Sequence, residues 1–168
     1  LQNKKNELEV KNPFYLEFGV FNGTSTNFFS NYVDKLYAFD SFEGLPEPTT
    51  DTSVEIWKKG VLTTTEEQFM SMVKDHGIYP DNVSTVKGYY DDSLTKKLQK
   101  EYLDSGRKIS LVNVDCDLYE SAVPVFNFIE PLLQEGSVIY MDDMFAGYKG
   151  NPMKGVSKAF IEWQERSR

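Results

Sequence analysis

The chain has 168 residues, enough for one domain with one core and too few for two. Its net charge of −8 argues against binding to nucleic acid or an anionic membrane, since both need a basic face. No apolar run approaches bilayer-spanning length, the N-terminus lacks a signal-peptide core, and the single cysteine, Cys116, cannot close an intrachain disulfide, so a cytoplasmic setting is expected.

Leu1 to Asn12 reads as a polar extension closed off by Pro13. Phe14 to Val20 reads as a buried strand, and Thr24 to Tyr32 as a helix. Between them the small residues Gly19, Asn22, Gly23, Thr24 and Ser25 form a turn of the kind that faces nucleotide-like ligands in open α/β sheets. Lys35 to Phe39 follows the Asp34-Lys35 turn as a second strand, which completes a right-handed βαβ unit. Residues 42–64, with Gly44, Pro46, Pro48 and Trp57, are too long and aperiodic for a connector and read as a lid.

A helix capped by Thr64 or Thr65 places Phe69, Met72 and Val73 on one face and ends at His76-Gly77. Asn82 to Lys87 is the third strand, Ser93 to Asp104 a helix, and Ile109 to Val114 the fourth strand. Ser121 to Gln134 is a helix that Pro124 and Pro131 are expected to kink. Ser137 to Met141 is the fifth strand. A glycine-rich loop (Gly147, Gly150, Gly155) leads to a last helix from Pro152 to Arg166. The alternation predicts an α/β fold: a mostly parallel sheet with helices on both faces.

Carboxylates gather where strands end: Glu17, Asp40, Asp91 and Asp92, Asp115 and Asp117, Asp142 and Asp143. In a parallel sheet these ends share one edge, where ligands bind. Taken singly, each acid suits a helix cap. Asp40 lies about 20 residues past the glycine turn, the spacing at which a carboxylate accepts ribose hydroxyls. Glu17, beside the turn, is placed to meet an ammonium group. Together they suit S-adenosylmethionine better than NAD, because the turn lacks the third glycine of a dinucleotide fingerprint. Asp115, Asp142 and Asp143 would repel one another unless a hard cation such as Mg²⁺ joins them; the alternative is one acid held by loop backbone and the others solvated. His76 reads as a surface cap, and Cys116, between two acids, as a poor nucleophile.

Four strings, Glu17-Phe-Gly-Val-Phe-Asn-Gly-Thr-Ser, Ala38-Phe-Asp-Ser-Phe-Glu-Gly-Leu-Pro46, Val114-Asp-Cys-Asp-Leu-Tyr-Glu-Ser121 and Met141-Asp-Asp143, resemble the macrocin O-methyltransferase (TylF/MycF-type) family from about Phe14 to Trp163. The resemblance implies a Rossmann-like class I methyltransferase fold and Mg²⁺-dependent methyl transfer from S-adenosylmethionine to a hydroxyl of a small molecule, a sugar or glycosylated metabolite. It implies that Glu17, Gly19, Gly23, Thr24 and Ser25 hold the methionine part of the cofactor. Asp40 would take the ribose with Ser41 and Phe42 nearby, and Tyr90 and Asp91 would border the adenine. Asp115, Asp142 and Asp143 would bind Mg²⁺, with Asp115 also the general base and Asp117 the alternative ligand.

Catechol-type relatives place a Lys where this chain has Leu118, which leans toward a sugar-like acceptor. The antiparallel hairpin that closes this fold is expected after the last helix and is absent before Arg168. Either the sequence is truncated or another chain, as in a homo-oligomer, covers the open edge. The competing classes are an NAD(P)-linked oxidoreductase, which has no use for the strand-five acids, and a non-catalytic cofactor-binding module.

Overall fold

The computed structural model describes residues 13–33, 35–49, 57–145, 148 and 151–167. The expected N-terminal extension, Asp34 of the first turn, the middle of the lid, Gly147 and Gly150 lie outside the described residues. In chain order the elements are β1 (Pro13–Phe18), α1 (Thr24–Ser30), β2 (Leu36–Asp40), α2 (Glu66–Asp75), β3 (Val83–Lys87), α3 (Tyr90–Ser93), α4 (Lys96–Asp104), β4 (Lys108–Val114), α5 (Tyr119–Ile129), β5 (Val138–Met141) and α6 (Gly155–Arg166). The five strands pair in the order β3-β2-β1-β4-β5, and every pairing is parallel. The α/β class read from the alternation is therefore the class observed. Strand order reverses direction between β1 and β4, the position at which open parallel sheets bind ligands.

Strand alternation divides the core. Phe14, Leu16 and Phe18 of β1 pack with Val112 and Val114 of β4 against Val125, Phe126 and Ile129 of α5 and Val156 of α6. Tyr15 of β1 faces the other way, with Ala38 and Leu111, toward Phe29 of α1 and Phe69 and Val73 of α2. Among the described residues β5 forms one edge of the sheet.

Several boundaries differ from the sequence expectation. β1 stops at Phe18 because Gly19 takes a φ of +87°. The helix expected over 93–104 is two: α3 ends at Ser93, and Thr95 starts α4 by accepting a hydrogen bond from Leu98 N–H. The helix over 121–134 starts earlier, at Tyr119, and ends at Ile129. It keeps Pro124 inside it, and a 3-10 turn, Glu130–Leu132, contains Pro131. The last helix starts at Gly155 rather than Pro152. α2 follows the expected pattern: Thr65 and Gln68 form a capping box, and Phe69 and Val73 are buried.

Candidate functional site

At the end of β1 the chain must turn in a confined space. A Cβ on Gly19 would lie 1.7 Å from the Asp115 carbonyl oxygen, so only glycine lets β1 and β4 close up here. The turn is braced from β2. Asp40 accepts hydrogen bonds from Val20 N–H at 2.9 Å and Phe42 N–H at 2.8 Å. Asn22 accepts from the Thr24 backbone N–H and hydroxyl at 3.1 and 2.7 Å. The side chain expected to meet a ribose thus also holds the glycine turn in shape.

A cavity of about 900 Å³ opens over this edge, large enough for a nucleoside and a second small molecule. Gly19, Thr24, Ser25, Asp40, Ser41, Tyr90, Asp115, Asp142 and Asp143 all line it. Four expected cofactor residues stand elsewhere. Glu17 is fully buried behind the wall: Thr26 Oγ1 donates to one carboxylate oxygen at 2.7 Å and Asn113 Nδ2 to the other at 3.2 Å. Both oxygens accept from the protein, and Glu17 is not among the residues that line the cavity. Phe42, at φ +56°, packs against Phe69 with ring centroids 5.8 Å apart, and is core. Gly23 caps α1 away from the wall, 3.5 Å (from its would-be Cβ) from the Phe69 ring. Asp91 is exposed in the first turn of α3, which leaves Gly88, Tyr89 and Tyr90 on the wall instead.

The second half of the cavity is acidic. Val114 of β4 pairs with Met141 of β5, so Asp115 and Asp142 leave the sheet side by side. Asp115, Asp142 and Asp143 each offer an oxygen within 4.8 Å of the others'. Asp117, at φ +60°, also lines the cavity and gives its backbone N–H to Asp143 at 3.0 Å, while the group of three oxygens includes Asp115 and not Asp117. Burial, then Asp142, Asp143 and Asp117, push Asp115 up to about 8. Burial, then Asp143 and Asp142, raise Asp117 to about 7, with the Trp57 indole opposing, and burial raises Asp143 to about 6. The largest influences on Asp115 all disfavour its charge. Three hard oxygen donors in that condition fit a divalent cation such as Mg²⁺.

Sequence reading missed two participants. Tyr140, on β5 two residues before Asp142, lines the cavity and donates to it at 3.2 Å. Asn113, two residues before Asp115, is wholly buried and shares a face with it. Strand alternation was the available signal for both.

The described parts of the lid fold back on themselves, with Leu45 N–H bonded to Val61 O and Gly60 N–H to Leu45 O, both at 2.9 Å. Leu45 and Trp57 then bury against Leu118 and Tyr148, which joins the loops after β2, β4 and β5. Cys116 lines the cavity floor, and burial raises its pKa, as expected of an inert thiol. His76 is exposed at the end of α2. No helix among the described residues is long and apolar enough to cross a membrane.

Comparison with known proteins gives the same picture. The chain is 27% identical over 141 residues to 8-demethyl-8-(2,3-dimethoxy-alpha-L-rhamnosyl)-tetracenomycin-C 4'-O-methyltransferase of Streptomyces olivaceus, an alignment covering 76% of this chain and 51% of that protein. It thus spans about half the length of that relative. The structure is similar to that of the O-methyltransferase NovP, with a TM-score of 0.75 at 18% identity, covering 99% of this chain and 68% of that one. For CalS11, a calicheamicin methyltransferase, the TM-score is 0.68 at 20% identity, covering 95% and 66%. At these identities the structural likeness speaks for the fold, a Rossmann-like methyltransferase fold. The sequence profile of the macrocin O-methyltransferase (TylF) family matches residues 15–164, and the chain belongs to that family.

Proposed function

We propose that the protein containing this chain is an O-methyltransferase that moves a methyl group from S-adenosylmethionine to a hydroxyl of a sugar or glycosylated small molecule, with Mg²⁺ as cofactor. One observation carries the reading: the braced glycine turn and the Asp115-Asp142-Asp143 group line a single cavity. Gly19, Thr24 and Ser25 shape the part for the methionine moiety, Asp40 and Ser41 the ribose, and Tyr90 with Tyr89 the adenine. Asp115, Asp142 and Asp143 would hold the cation. When bound, it keeps these acids ionised and acidifies a neighbouring acceptor hydroxyl.

The rest is the protein's own work. Methyl transfer is an in-line displacement, so fixing donor and acceptor on rigid strand ends removes much of the barrier. Asp115 stands where the two halves of the cavity meet and takes the proton that the hydroxyl loses. The relatives' printed names support a sugar-bearing acceptor: one acts on a rhamnosylated tetracenomycin.

Titration calorimetry with S-adenosylmethionine, S-adenosylhomocysteine and NAD tests the donor, with micromolar binding of the first two expected; binding of NAD alone overturns the reading. Asp115→Asn should lower methyl transfer by about 10²–10⁴-fold. Asp142→Asn and Asp143→Asn should abolish stimulation by Mg²⁺. Equal rates in these variants and in chelator would remove the metal from the mechanism.

A further inference from the structure

Glu17 is a carboxylate with no exposure to solvent, in contact with three elements at once. It sits on β1, in register with Asn113 of β4, whose amide donates to it at 3.2 Å. Thr26, in the first turn of α1 and also fully buried, donates at 2.7 Å. The Ser25 hydroxyl, on the cavity wall, approaches it too and favours its ionised form against burial. α1 has no side-chain N-cap and no acid in its first turn. Among the described contacts, the Thr26 hydroxyl bonded to the Glu17 carboxyl beneath it ties this turn to the sheet.

We infer that Glu17 is a positioning residue, not a ligand: it locks the first turn of α1 to β1 and β4, so the wall from Gly19 to Ser25 holds its shape before any ligand arrives. This rests on the reading of that wall as the methyl-donor site. Burial raises the pKa of Glu17 while the Ser25, Thr26 and Asn113 donors oppose that, and losing the Thr26 donor leaves a buried polar group short of a partner.

Thr26 touches Glu17 and not the cavity, so it reports on the lock without touching a ligand. Thr26→Val keeps the shape and removes the hydroxyl, and Thr26→Ser restores it. At a temperature where both variants are folded by circular dichroism, Thr26→Val should bind S-adenosylhomocysteine and 5′-methylthioadenosine alike about tenfold more weakly, with Thr26→Ser close to the parent. The second nucleoside lacks the amino-acid group, so loss of a direct ammonium contact would spare it. A purely structural role would lower the folding temperature and leave these affinities unchanged. Glu17→Gln should follow Thr26→Val.

If Glu17→Gln weakens only S-adenosylhomocysteine, Glu17 contacts the ligand and the inference fails. Amide hydrogen exchange at residues 23–27 of the free protein reads the lock without a ligand: faster exchange in Thr26→Val than in Thr26→Ser is expected, and equal exchange overturns the lock. Should the parent protein bind neither nucleoside, the donor reading falls while the exchange comparison still decides the lock.

Discussion

Two glycines of similar backbone conformation show how much depends on the neighbour. Gly19 has φ +87° and no room for a Cβ against the Asp115 carbonyl, whereas Gly60 has φ +75° and open space around it. Gly19→Ala should cost at least about 3 kcal/mol in chemical denaturation, since strain and a backbone clash add. Gly60→Ala should cost about 1 kcal/mol, from strain alone. The acids make a pH prediction. Asp115, Asp117 and Asp143 have folded pKa values of about 8, 7 and 6, raised above the ordinary carboxylate range. Their contribution to stability is therefore complete below about pH 4 and is lost progressively as pH rises from about 4, the loss ending near pH 6 for Asp143, 7 for Asp117 and 8 for Asp115. In chelator, and after allowing for other groups, the melting temperature should fall across that window. If these acids hold Mg²⁺ as proposed, the added ion should raise it more at pH 8 than at pH 5, because carboxylates must be ionised to bind it.

At the scale of elements, legibility followed the strength of the local signal. α2 was legible because a threonine cap, read as Thr64 or Thr65 and observed as Thr65, is followed directly by the Phe69/Val73 spacing of a buried face. Thr65→Ala should cost about 1 kcal/mol, measured by thermal melting. The break between α3 and α4 was missed because Ser93-Leu94-Thr95 contains no Gly or Pro; it is made by the Thr95 cap, a signal overridden by the periodicity on either side. The acid group was legible because every member lies within two residues of a strand's end. Glu17 and Phe42 were misplaced for the opposite reason: they lie in the right strings, but the direction of a side chain depends on what packs behind it. For Phe42 that is Phe69, some 27 residues away, and for Glu17 it is Asn113 on a neighbouring strand.

The whole molecule presents its chemistry on one edge because all five strands run the same way. Three loops from that edge meet in the Leu45-Trp57-Leu118-Tyr148 cluster, with the Trp57 and Tyr148 rings 4.9 Å apart. Trp57→Ala should therefore loosen two loops beyond its own, and proteolysis should cut the lid faster in this variant, with α2 and the sheet unchanged by circular dichroism.

The close approach of Gly19 to Asp115 has a further consequence. The glycine turn and the acid group meet through bare backbone, with the Asp115 carbonyl directly against Gly19. On the proposed function, a shift of one by a few tenths of an ångström should displace the other, which would couple occupancy on the two sides. The methyl donor should then bind more tightly in the presence of Mg²⁺, and the ion more tightly with the donor bound, by one and the same factor.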